Sequence, residues 1–174
     1  MKVILYMAMS VNGMITKDRD DTDWVSDIEW KNFSGMIRKN RNMIIGRRTY
    51  DIMMQNNEFK RSNLDEVETV VLTNNVKFKI HDMKHVRLAQ TPEDALEILK
   101  SRGFQTIMIC GGGGANTSFI KKGLVDELYI DIEPYLIGKG IPLFRPEVFN
   151  VKLMLVETKK ISKNTLQLHY KIIE

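Results

Sequence analysis

Ile109-Cys110-Gly111-Gly112-Gly113-Gly114-Ala115-Asn116 sets four consecutive glycines between a β-branched apolar run and a helical pattern. Strand, glycines and helix form the context in which bare backbone N–H groups and a helix N-terminus face an anion. Glycine also lets a ligand come close to the main chain. The dinucleotide fingerprint G-x-G-x-x-G is matched only in part, because Asn116 stands where the third glycine belongs. The acid expected roughly twenty residues on is present as Asp131, but within a strand pattern. No Gly-Lys-Ser/Thr follows, which excludes a P-loop. The stretch reads either as a phosphate-holding loop or as a structural turn, and the rest of the chain has to decide.

Working outward, strands and helices alternate and the chain ends in strands. Strands are expected over 3–11, 42–46, 69–72, 106–110 and 127–133, with a weaker one over 85–89. Asn12-Gly13 turns the chain, and 18–23 is an acidic loop. Helices are expected over 26–38, 48–55 and from the glycines to 122, with 56–66 as loop. Thr91-Pro92-Glu93-Asp94 is a helix start, with Thr91 as cap, Pro92 in the first position and acids in the first turn. Gly103 and Gly123 stop their helices, and turns are expected at Gly138 and Gly140. Segments 152–160 and 165–173 read as an antiparallel hairpin. The sum is an α/β sheet, mostly parallel, with an antiparallel C-terminal edge.

The 174 residues suit one domain, 1–174, with a hydrophobic core. A net charge of +4 suits an anionic small ligand and is too small to argue for nucleic acid. With Cys110 as the one cysteine, no disulfide can form within the chain, and a reducing compartment is expected. The apolar run after Lys2 is short for a signal peptide, and none approaches the ~18 residues that span a membrane. His81, His85 and His169 show no metal-ligand spacing, so no metal is expected.

Three further segments carry polar groups suited to chemistry. Gly46-Arg47-Arg48-Thr49 follows a buried strand and opens a helix, where Thr49 and an arginine fork suit phosphate; solvated arginines at a helix start are the plainer alternative. Thr73 and Asn74 follow a strand end, the side of an open α/β sheet where ligands bind, though a polar turn has the same composition. Asp23, Trp24, Asp27, Glu29 and Trp30 form an acid–aromatic set. A carboxylate beside Trp24 would hold its proton, with Asp27 as the first choice of donor and Trp24 as pocket wall. Capping by Ser26 or Asp27, with the Trp side chains in the core, explains the same residues without chemistry.

Taken in order, AMSVNGMI, IIGRRTY, VLTNN, CGGGGANTSFIKKGLVDEL and EPYLIGKGIPLF resemble the dihydrofolate reductase-like superfamily. The closest branch is the reductase domain of the riboflavin-biosynthesis deaminase-reductases and its stand-alone relatives. The resemblance spans about residues 2–173 and implies a three-layer α-β-α fold, NADPH as cofactor, and hydride transfer to a pterin- or pyrimidine-like heterocycle in the cytoplasm. By position, Gly46, Arg47, Arg48 and Thr49 correspond to the segment that meets the cofactor phosphates, including the 2′-phosphate. Thr73 and Asn74 correspond to the adenosine side, and Gly111, Gly112, Gly113, Gly114, Ala115 and Asn116 to the pyrophosphate loop. Ala8, Asn12 and Gly13 correspond to the nicotinamide side. Gly113 is expected to be bare so that the cofactor can approach. A homodimer is implied, with the C-terminal hairpin as contact. The resemblance departs at Cys110, where the riboflavin branch carries Glu, and in lacking the zinc-bearing deaminase half.

Overall fold

A computed structural model describes residues 1–80 and 84–173. Its strands are β1 (Lys2–Ser10), β2 (Met14–Lys17), β3 (Asn42–Gly46), β4 (Glu68–Leu72), β5 (Val86–Ala89), β6 (Thr106–Ile109), β7 (Glu127–Glu133), β8 (Gly140–Pro142), β9 (Lys152–Lys160) and β10 (Leu166–Ile173). Its helices are α1 (Asp27–Asn40), α2 (Arg47–Gln55), α3 (Glu58–Arg61), α4 (Pro92–Ser101) and α5 (Gly113–Lys121). Eight strands form one sheet in the order β5-β4-β3-β6-β1-β7-β10-β9. Pairing is parallel from β5 through β7 and antiparallel at β7–β10 and β10–β9.

The sheet is the middle of three layers, because successive residues of its central strands bury to opposite faces. Val3, Leu5, Ile44, Val70, Ile107 and Ile109 share one core with Leu96 and Leu99 of α4 and Phe119 of α5. Ile4, Tyr6, Met43, Ile45, Val71 and Met108 share the other with Ile37 of α1, Tyr50 and Met53 of α2, and Phe59 of α3. This is the dihydrofolate-reductase-like arrangement, and the mostly parallel sheet with its antiparallel C-terminal pair follows the reading of the sequence.

The capping chemistry holds as read at two helix starts. Thr91 Oγ1 accepts from the Asp94 N–H at 3.1 Å, and Ser26 Oγ accepts from the Glu29 N–H at 3.2 Å. Three expectations change. The 56–66 stretch contains α3, because Phe59 reaches the core. Gly140 lies in β8, which pairs with β2, and its α-carbon approaches the Thr16 carbonyl so closely that a Cβ there has no room. Neither short strand has the run of alternating apolar residues that announces a strand. Gly113 and Gly114 belong to α5 rather than to the loop before it.

Candidate functional site

The two expected phosphate segments meet because β3 and β6 are neighbours. Their direct pairing is short, with Ile44 opposite Ile109. Buried Asn42 fills the gap, donating from Nδ2 to the Thr106 carbonyl at 2.8 Å and accepting from the Met108 N–H at 3.1 Å. Beyond Ile109 the strands stay joined: the Cys110 N–H donates to the Ile44 carbonyl at 2.9 Å and the Gly46 N–H to the Gly111 carbonyl at 2.7 Å. The Gly111–Gly112 peptide is cis. Gly46 and Gly112 occupy the N-cap positions of α2 and α5, and neither helix has a side chain capping it. Two helix N-termini with free first-turn N–H groups therefore open side by side, the backbone arrangement that receives phosphate.

Thr49 completes this junction, since a Cβ on Gly112 would stand 3.2 Å from its Oγ1. Gly111 has φ +96° and presses on Met7 of β1, so only glycine serves there. Thr73 follows β4, the next strand along, and its N–H donates to the Ala89 carbonyl at 2.9 Å. Its hydroxyl accepts from the Asn75 N–H at 3.2 Å, and Asn74 is exposed beside it. Arg47 is exposed, with its guanidinium 6.0 Å from the Phe78 ring centre. Among the described residues no carboxylate pairs with Arg47, whereas Arg48 Nε binds Asp20 at 2.6 Å.

Other residues expected at the cofactor also have work in the scaffold. A Cβ on Gly113 would sit 2.5 Å from the Pro142 carbonyl oxygen, so packing against β8 by itself requires a glycine there. Asn116 is wholly buried, and its Nδ2 donates to the Leu143 carbonyl at 3.0 Å. Gly114 turns toward Arg145, and Ala115 backs Gly46. Asn12 is spent on Ile137, donating to its carbonyl at 2.8 Å and accepting from its N–H at 3.0 Å. Gly13, at φ +83°, accepts from the Leu143 N–H at 2.9 Å. Ala8 lies opposite Asp131 in the register of β1 and β7. His81 lies outside the described residues, and among those described no group of His, Cys, Asp or Glu is placed to hold a metal.

The acid–aromatic set divides on burial. Asp27 is exposed in the first turn of α1, where a carboxylate suits the helix dipole. Trp24 is buried, lies 5.9 Å edge-on from Tyr135, and leaves its Nε1 without a hydrogen-bond partner. The acid with the required environment is Glu29, only 1% exposed. Burial first, then the charges of Asp131 and Glu133, pushes its carboxyl well above the ordinary range. The buried acid of the set is Glu29 and not Asp27, and spacing carries that signal. Glu29, Phe33 and Ile37 lie four apart on the inward face of α1, and Asp27 lies off it. Cys110 is buried in the core, and burial pushes its thiol up, so it is no nucleophile.

These features describe an α/β domain with a phosphate-type junction at the ends of β3 and β6 and a buried carboxylate cluster at β7, beyond β1 in the same sheet. The family model of the RibD C-terminal domain matches residues 1–167, and the chain belongs to that family. It is 29% identical over 174 residues to the uncharacterized protein YwjB of Bacillus subtilis (strain 168), covering 97% of each chain. Among solved structures, a Shewanella sp. PV-4 protein provisionally named for riboflavin biosynthesis superposes with TM-score 0.80 at 23% identity, covering 100% of both chains. A Thermotoga maritima diaminohydroxyphosphoribosylaminopyrimidine deaminase/5-amino-6-(5-phosphoribosylamino)uracil reductase gives 0.74 at 17%, over 99% of this chain and 56% of its own. At these identities the structures speak for the fold.

Proposed function

We propose that this protein is an NADPH-dependent reductase that delivers a hydride to a small pterin- or pyrimidine-like heterocycle. One observation carries the reading: Gly46–Thr49, Gly111–Gly112 and Thr73 converge at the carboxyl ends of neighbouring strands, one strand pair from a buried acid. Ligands of open α/β sheets bind beyond those ends. The residues fit the cofactor: uncapped N–H groups for a pyrophosphate, Thr49 beside them, and Arg47 without a carboxylate for a 2′-phosphate. When bound, NADPH supplies the hydride. The chain supplies the rest. The junction orients the cofactor, and the inward face of α1 shields Glu29 from water. Glu29 holds a proton at its carboxyl for the substrate atom that gains electron density.

The test is loss of the reduced-nicotinamide absorbance by purified protein with a dihydropterin or with the ribosylaminopyrimidine phosphate of the riboflavin pathway. Turnover of the latter establishes the riboflavin-pathway activity. NADPH binding with no turnover of any heterocycle establishes a non-catalytic NADP(H)-binding module instead.

The same reading makes the protein a cytoplasmic homodimer that binds neither nucleic acid nor membrane. Among the described residues no helix is long and apolar enough to cross a membrane. β9 is an edge strand exposed along its whole length and carries Leu153, Met154, Leu155 and Val156 in succession. An unpaired apolar edge is a pairing surface, and a second copy offers the same edge in self-complementary form. Light scattering at twice the chain mass supports this, and a monomer at micromolar concentration overturns it.

A further inference from the structure

Three carboxylates, Glu29, Asp131 and Glu133, lie buried where α1 crosses β1 and β7. The hydrogen bonds around them run in one direction. Tyr6 donates its hydroxyl to Asp131 Oδ2 at 2.6 Å. Gln167 Nε2 donates to Asp131 Oδ1 at 2.9 Å and to the Tyr6 hydroxyl at 3.1 Å. Ser26 gives Glu133 Oε1 both its hydroxyl, at 2.6 Å, and its backbone N–H, at 3.2 Å. Thr165 gives its hydroxyl to Glu133 Oε2 at 3.0 Å, while Ser162 donates to Thr165 Oγ1 at 2.9 Å. Each oxygen of Asp131 and Glu133 is thus an acceptor.

Glu29 is treated differently. Its Oε1 is buried with no hydrogen-bond partner. A Ser-x-x-Glu helix start ordinarily returns the Glu carboxylate to the Ser backbone N–H. Here Glu133 has taken that N–H, so Glu29 is deprived of the donor its own sequence motif provides. A buried anion without donors, beside two other carboxylates, is the costliest way to arrange three acids.

We propose that Tyr6, Gln167, Ser26 and Thr165 are positioning residues for Glu29. Their donors are all aimed at Asp131 and Glu133, which leaves Glu29 as the member of the cluster without a donor and the place where a proton resides. The functional meaning of that proton rests on the reductase reading; its location does not. Among the described residues, the titratable groups that face Glu29 are Asp131 and Glu133 of β7 and Tyr6 of β1, while Gln167 of β10 and Lys159 of β9 act through Asp131. Burial raises Asp131 as well, but the Tyr6 and Gln167 hydrogen bonds oppose that rise, and Glu29 has no such relief. The three acids share one buried site, and the donors decide which member holds the proton.

The experiment is a carboxyl-carbon NMR titration of the full chain, without cofactor, labelled in Asp and Glu side chains. The Glu29 signal is assigned by its loss in Glu29→Gln. It is expected at the protonated position where exposed glutamates are fully ionised. Asp131→Asn removes the neighbouring charge, and the Glu29 midpoint is expected to fall by about one pH unit or more. Tyr6→Phe removes the strongest donor to Asp131, and a protonated Asp signal is expected to appear as the Glu29 signal moves toward the ionised position. Both substitutions are near-isosteric, and either variant suffices if the other fails to fold. An ionised Glu29 in the unsubstituted protein overturns the proposal, as does a Glu29 midpoint that neither variant moves. A merely structural network would change unfolding and leave the midpoint in place. If the midpoints behave as expected and no heterocycle is reduced, the reductase reading fails and the proton assignment stands.

Discussion

The glycine junction and the carboxylate cluster sit at neighbouring strand ends of one sheet and are built on opposite terms. At the junction the function lies in what is missing. Gly111 and Gly112 leave backbone N–H groups bare, and an added carbon meets Met7 or Thr49. In the cluster the function lies in side chains from α1, β1, β7 and β10, with Ser26 and Glu133 joined across 107 positions. The junction should therefore be sensitive to added volume, and the cluster to charge and hydrogen-bond direction at constant volume.

The largest effect expected is at the cluster. Glu29→Gln keeps shape and removes the acid, so turnover should fall by about 10²-fold or more in steady-state assays, with NADPH affinity unchanged. An equal loss of affinity would break the division between the two regions. Next comes Gly113→Val, which sets a side chain against the Pro142 carbonyl and should cost ~3 kcal/mol of stability in denaturant unfolding. A folded Gly113→Val protein with only cofactor binding lost would return Gly113 to the ligand side.

A third effect concerns pH. Glu29 binds its proton more tightly folded than unfolded, so its contribution to stability is fully present below the unfolded value near 4.5 and is lost as pH rises through the folded value. The unfolding midpoint should decline over that range, and Glu29→Gln should flatten the decline. Smaller still, Arg47→Ala should weaken NADPH about tenfold more than NADH by titration calorimetry, because among the described residues no carboxylate engages Arg47. Arg48→Ala should do less, since Asp20 already engages that side chain. If Arg48 proves the stronger discriminator, the Asp20 pair must open when cofactor binds.

How legible each region was in the sequence follows from the same contrast. Each half of the junction was readable because contiguous residues make it, a buried strand running into glycine and a helix start; that the two halves meet is decided by the pairing of β3 with β6. The capping of α4 by Thr91 and Pro92 is local in the same way. The β2–β8 pair was not readable, because two strands of four and three residues depend on each other rather than on their own patterns. The acid was half readable. Its spacing with Phe33 and Ile37 marks Glu29 as inward, but Ser26-x-x-Glu29 looks like an ordinary helix start until Glu133 is seen to occupy the Ser26 N–H.

The sequence by itself determined the α/β sheet, mostly parallel with an antiparallel C-terminal edge, and the strand ends that carry polar groups. Periodicity, capping and glycine placement act over a few residues and need no partner. Only the tertiary structure decided that Glu29 and not Asp27 is the buried acid, that Gly113 and Asn116 pack against the 142–143 carbonyls, and that among the described residues Asp20 engages Arg48 and not Arg47. Each of those outcomes depends on which distant group reaches a buried atom first, and in a close-packed interior that is settled by the fold as a whole.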